Sequence, residues 1–72
     1  MKLSEQLKSD LRAERYYLKD LAHEADTTSS QLSQWLGGHY RPSWRAAQGL
    51  ATAATKLTGK TYTPIMFLEI KP

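Results

Sequence analysis

An uncharged set of hydrogen-bonding side chains, Ser29, Ser30, Ser33 and Gln34, lies near the middle of the chain. In a helix they share one face, because the apolar residues among them are spaced to fill the opposite face. Hydroxyls and an amide without charge are groups that hydrogen-bond to base edges in the DNA major groove. We predict that Gln34 contacts a base, since its amide matches the paired donor and acceptor of adenine. The serines would contact a base edge or a phosphate, because the first turn of a helix also favours anions.

The balance of charge changes just before this polar set. Residues 1–26 have a formal balance of −1 and residues 27–72 have one of +4, within a total of +3. No carboxylate lies between Asp26 and Glu69. The second half of the chain therefore presents little repulsion to phosphate.

Two short helices joined by a tight turn would hold the polar face in place. The first has the apolar spacing of one helix face, at Leu18, Leu21, Ala22 and Ala25. Asp26 follows at a position where a residue that tolerates the left-handed conformation would end the helix. Thr28 and Gln31 then fit a capping box. The Thr28 hydroxyl would accept from the Gln31 backbone N–H while the Gln31 side chain reaches back.

The whole pattern predicts an all-α fold of five helices, at about residues 3–14, 17–25, 29–36, 44–57 and 65–69. Ser43 is the expected N-cap of the fourth helix, which should bury Ala47, Leu50, Ala51, Ala54 and Leu57. Gly49 in that helix predicts a close approach to another helix, since a mid-helix glycine otherwise costs about 1 kcal/mol. With no repeat or linker, residues 1–72 are expected to form one domain.

The most apolar run of the chain is residues 65–70. A strand over residues 61–70 is the competing interpretation of this segment, because several of its residues favour sheets. We predict that the run closes the core and also pairs with a second copy across a two-fold axis, since domains this small often need such support. The predicted dimer contacts are Ile65, Phe67, Leu68 and Ile70.

Residues 18–43 resemble the helix-turn-helix of the lambda-repressor-like family, the small Cro-type and CI-type regulators of bacteria and phages. The resemblance rests on Ala22 and Ala25, the turn residue Asp26, Leu32 and Trp35, and Gly37 with Gly38. The following stretch 39–43 is similar to the Gly-x-x-x-Pro-Ser segment after the family's recognition helix. Both ends of the chain resemble the Cro-like antitoxins, so the resemblance covers most of its length.

The resemblance implies that residues 29–36 form a recognition helix with Trp35 in the core, and that the next residues follow the DNA backbone. The residues expected there are His39, Tyr40, Arg41, Ser43 and Arg45, and the alternative is a solvated basic loop. Tyr17 and Lys19 are expected at the backbone of the other strand, with Thr28 adding a contact secondary to its capping role. The family also implies a symmetric dimer on a near-palindromic operator, with recognition helices about 34 Å apart.

Three residues depart from the family pattern. Asp26 replaces the usual glycine, Thr27 replaces an apolar residue, and Leu18 replaces the glutamine that often touches a phosphate. Because aspartate tolerates a positive φ better than most residues, the changes affect the phosphate contact more than the fold.

Other function classes have little support in the sequence. The chain has no cysteine, and His23 and His39 are isolated, so no metal site or cofactor is expected. No nucleophile–base set, phosphate-binding glycine loop or carboxylate pair indicates an enzyme. Without a signal peptide or an apolar run of about 20 residues, we expect a cytoplasmic protein.

Two rival functions stay open beside a DNA-binding repressor that acts by occupying its operator. The first is a protein-interaction module that binds a partner, such as a toxin, through the apolar C-terminal run. The second is a non-specific nucleoid-type DNA binder, against which the modest net charge of +3 argues.

Overall fold

The structure, a computed structural model, describes residues 3–69, which form five α-helices and contain no strand. The helices are α1 (Leu3–Ala13), α2 (Leu18–Glu24), α3 (Ser29–Leu36), α4 (Trp44–Thr58) and α5 (Pro64–Leu68). The predicted all-α fold of five helices is confirmed, and no predicted helix end is off by more than one residue. Among the described helices, none combines the length and apolar character that crossing a membrane requires.

Residues 61–63 are irregular and the chain becomes helical at Pro64. Thr63 is the N-cap, with an extended backbone at φ −117°, and Pro64 is the first helical residue. A proline suits this position because its fixed φ is helical and its missing N–H would have no partner there. The strand interpretation is therefore wrong for the described part of this segment.

A tight turn of residues 25–28 joins α2 to α3. Asp26 has a left-handed backbone at φ 60°, as predicted. The N–H groups of Asp26 and Thr27 donate to carbonyl groups in the last turn of α2, at 3.1 and 2.8 Å. Thr28 then caps α3, its Oγ1 accepting from the Gln31 backbone N–H at 3.1 Å. The return contact from the Gln31 side chain is not formed, so Thr28 supplies the cap alone.

Helix α4 packs against α1, α2 and α5, so the core forms along it. The largest fully buried side chains are Leu7, Leu11, Leu21, Leu32, Leu50 and Phe67. Of the α4 residues predicted to be buried, only Leu57 is partly exposed. Trp35 packs on the edge of the core and is also only partly buried.

Gly49 faces the end of α2, but the close approach predicted for this glycine is not found. A Cβ added at Gly49 would lie 3.8 Å from the carbonyl oxygen of Ala25, an ordinary van der Waals contact. We therefore expect Gly49→Ala to stabilise the fold by about 1 kcal/mol, because alanine favours the helix. In a domain of this size that gain raises Tm by about 4–8 °C, which thermal unfolding would measure.

The matched control for this prediction is the same substitution at Gly59, where φ is +73°. Alanine in the left-handed region costs about 1–2 kcal/mol, so Gly59→Ala should lower Tm. If Gly49→Ala also unfolds at a lower temperature than the unchanged protein, the prediction is wrong. That result would indicate that α2 and α4 cannot move apart enough to accommodate the added methyl group.

Asp10 is a buried carboxylate in α1 that the sequence pattern did not single out. It pairs with Lys60 Nζ at 2.8 Å, and the Tyr62 hydroxyl and Gln6 Nε2 donate to it at 2.5 and 3.1 Å. These contacts lower the pKa of Asp10 from 3.8 to about 2. The contact with Lys60 has the largest effect, followed by those with Tyr62 and Gln6. Burial and the bond to Asp10 raise the pKa of Tyr62 above its ordinary 10.0. The cluster joins α1 to the segment between α4 and α5.

Asp10 is expected to make stability depend on acid pH. Because its pKa is lower in the folded state, ionised Asp10 stabilises the fold above pH 3.8, and this contribution is lost as pH falls through about 2. The Asp10→Asn variant should therefore be less stable than the unchanged protein at neutral pH. It should also lose less of its stability than the unchanged protein as pH falls from 3.8 to about 2. Urea-unfolding midpoints measured across the range would show the difference. Glu5→Gln, an exposed change on the same helix, is the control, and equal acid sensitivity in both variants would contradict the prediction.

Helix α5 is divided between the core and the surface. The Phe67 ring is 1% exposed, with its centroid 6.2 Å from that of Tyr62. Leu68 is partly buried, whereas Ile65 is 51% exposed and Ile70 lies outside the described residues. Phe67 therefore closes the core, as predicted, but so buried a side chain cannot also contact a second copy. Of the described residues predicted for a dimer contact, Ile65 has the most exposed surface.

Candidate nucleic-acid interface

Helix α3 separates its polar residues from its apolar residues. The four polar residues predicted to contact DNA are exposed, namely Ser29, Ser30, Ser33 and Gln34. On the opposite side, Leu32 is completely buried and Trp35 is partly buried. Since successive helical residues are turned by about 100°, Ser30 and Gln34 lie near the centre of the exposed face. We call this exposed surface of residues 29, 30, 33 and 34 the polar face.

The side of α3 that carries Trp35 borders the start of α4. A cleft there is lined by Thr27 and Trp35 on the α3 side and by Ser43 and Arg45 on the α4 side. Arg45 is exposed and lines this cleft together with Trp35 of α3. Asp26 lines the same cleft, so the cleft contains one acidic and one basic side chain.

The loop between α3 and α4 continues this edge with exposed polar residues. Gly37 packs against the imidazole of His39, because a Cβ at Gly37 would lie 3.1 Å from a ring carbon. Tyr40 is 62% exposed, and Arg41 is exposed beside it. Ser43 ends the loop by capping α4, its Oγ accepting a backbone N–H at 3.1 Å. The loop residues predicted for phosphate contact are thus all exposed, although the Ser43 hydroxyl is occupied as a cap.

The other side of the polar face borders α1 and the start of α2. Ser33 lines a groove there together with Ser4 and Lys8 of α1 and Leu18 of α2. Lys8 is exposed and is the only positively charged residue in the lining of this groove. The sequence analysis did not identify Lys8 as a residue of the candidate interface. The repeat of Ser4, Lys8 and Arg12 at intervals of four does place them on one face of α1. Nothing in that repeat indicated that the face would lie beside α3.

Tyr17 and Lys19 lie at the first turn of α2, as predicted. Tyr17 is 65% exposed, and Lys19 Nζ lies 5.8 Å from the centroid of its ring, a cation–π distance. The Tyr17 backbone N–H donates to Asp20 at 2.7 Å, which fixes the start of the helix. The Leu18 side chain packs against the core and is a hydrocarbon, so it offers no hydrogen-bond donor at this corner.

Cations thus lie near α3 in two places, because Lys8 lines a groove with Ser33 and Arg45 lines a cleft with Trp35. Within residues 3–69, no three histidine or acidic side chains lie close enough together to hold a metal ion. No protein-family model, no curated protein and no solved structure matches this chain.

Proposed function

We propose that the protein is a sequence-specific regulator of transcription that binds double-stranded DNA through a lambda-repressor-like helix-turn-helix formed by α2 and α3. The observation that supports this proposal most is the uncharged polar face of α3 with cations on both sides. A major groove about 12 Å wide admits one helix and is bordered by two phosphate backbones. The arrangement of α3 and its neighbours matches those requirements in shape and in charge.

In this mechanism α3 enters the major groove with its polar face toward the base pairs. Arg41 and Arg45 contact phosphates and set the position of the helix, because phosphate contacts carry little sequence information. Gln34, near the centre of the face, hydrogen-bonds to adenine, and Ser30 or Ser33 contacts a neighbouring base edge. The regulator acts in the cytoplasm as a Cro-like repressor that covers a promoter.

A homodimer completes this proposal, with Ile65 in the contact between the two copies. Two copies of α3 would then lie about 34 Å apart, one turn of DNA, and bind a near-palindromic operator. A second copy also adds apolar burial to a chain whose own core is small.

Selection from a random duplex pool near physiological salt tests the proposal. An enriched inverted repeat, with half-site centres about 10 base pairs apart, is the expected result for a dimer. An enriched single half-site would support sequence-specific DNA recognition and contradict the proposed homodimer. If folded protein enriches no sequence but binds duplexes in a salt-dependent manner, it is a non-specific DNA binder.

A second candidate function is a protein-interaction module, such as an antitoxin that binds its toxin through α5. The exposed apolar side chains of Ile65 (51%) and Met66 (37%) favour it. Folded protein that binds no duplex DNA at all would leave this candidate as the better one.

A further inference from the structure

Lys8 and Arg12 form an exposed basic pair on α1. Lys8 is one of the cations that support the proposed function, but the mechanism above gives neither residue a contact with DNA. They are one helical turn apart, and both line a groove with Tyr16, Tyr17 and Leu18. Lys8 also lines the neighbouring groove that contains Ser33. It therefore lies between the first turn of α2 and the edge of the polar face.

Neither Lys8 nor Arg12 forms an ion pair with a carboxylate within the described residues 3–69. The ion pairs within residues 3–69 are Lys56 with Glu24 and Lys60 with Asp10. Both grooves beside Lys8 have no acidic side chain in their lining, in contrast to the cleft on the Arg45 side, which contains Asp26. The two grooves beside Lys8 therefore have only basic residues as charged lining, whereas the cleft beside Arg45 also contains a carboxylate.

The helical geometry of α3 places the two basic groups on opposite sides of the polar face. Ser33 and Trp35 are two positions apart, and two steps of about 100° leave them about 160° apart around the helix axis, on nearly opposite sides. Ser33 lies beside Lys8, and Trp35 lies beside Arg45. A helix held in the major groove has one phosphate backbone on each side.

We propose that Lys8 and Arg12 bind backbone phosphates of the strand opposite to the one contacted by Arg41 and Arg45. This inference rests on the proposed DNA-binding function and adds α1 to the interface. The Leu18 side chain carries no donor at the corner where α2 would meet this backbone, and the two α1 side chains supply positive charge there. Tyr17, which is 65% exposed, lines the same groove, and its hydroxyl is a donor suited to the same phosphates.

The test measures affinity for a fluorescent mixed-sequence duplex at salt concentrations between about 50 and 200 mM. Such a duplex is suitable because phosphate contacts do not depend on sequence. The variants are Lys8→Gln and Arg12→Gln, both at exposed positions, so the fold is retained. Lys56→Gln is the matched control, since it removes one positive charge from α4, where Lys56 lines a different groove with Gln48 and Pro64. Arg45→Gln serves as the comparison from the proposed interface.

Each phosphate contact contributes about 0.9 to the slope of log affinity against log salt. Lys8→Gln and Arg12→Gln are each expected to reduce the slope by about 0.9, whereas Lys56→Gln leaves it unchanged. If both behave like Lys56→Gln while Arg45→Gln reduces the slope, the inference is wrong and the proposed function stands. If only one reduces the slope, the assignment of the other residue is overturned. If the unchanged protein binds no duplex, the proposed function and the inference both fail.

Discussion

Phe67→Ala is expected to destabilise the fold by about 3–5 kcal/mol, the usual cost of removing a buried phenylalanine side chain. The ring is 1% exposed and packs against Tyr62, so its loss leaves a cavity between α5 and the rest of the core. The whole stability of a domain of this length is roughly 4–11 kcal/mol, so the change removes a large share of it. Urea unfolding followed by circular dichroism would measure the loss.

Ile65→Ala is the matched control, because Ile65 belongs to the same helix but is 51% exposed. Its effect on the unfolding of the monomer should stay within about 0.5 kcal/mol, as for other surface changes. If α5 forms the dimer contact, Ile65→Ala should instead weaken self-association, which sedimentation at several concentrations would detect. Equal losses of monomer stability for Ile65→Ala and Phe67→Ala would contradict the division of α5 into a buried and an exposed side.

Gln34→Ala is expected to weaken binding to the selected operator by about 1–3 kcal/mol, or roughly 5-fold to 150-fold in affinity. The substitution removes the side-chain amide near the centre of the polar face, and with it both of the proposed hydrogen bonds to a base. Binding to a mixed-sequence duplex should change little, because no base-specific contact contributes there. Titrations of both duplexes at one salt concentration would give the ratio of affinities.

Gln48→Ala provides the control for Gln34→Ala, since Gln48 is an exposed amide on α4 in the groove that contains Lys56 and Pro64. It should leave both affinities unchanged. A Gln34→Ala variant that loses the same factor on both duplexes would rule out Gln34 as the residue that contacts a base. A loss on the operator alone would support the orientation of α3 that we propose.

The positions and ends of the helices follow from the sequence because the interactions that set them are local. The Thr28 and Ser43 caps each join residues three apart, and the bonds that end α2 around Asp26 lie within six residues. Side-chain exposure along α3 was predictable for the same reason, since the helical repeat alone separates Leu32 from Gln34. Sequence reasoning thus located the polar face, and its assignment to DNA stays a proposal that the selection experiment tests.

Contacts between distant parts of the chain required the tertiary structure. Asp10 is 50 positions from Lys60 and 52 from Tyr62, and no local pattern indicates that the three side chains meet. Phe67 and Ile65 have similar hydrophobicity, and only the packing of α5 on α4 decides which one is buried. In the same way, the sequence alone indicates only that Lys8 is a solvated charge on α1, and the tertiary structure places it in a groove with Ser33. Periodicity defines the faces of each helix, whereas the mutual packing of the helices determines which faces become neighbours.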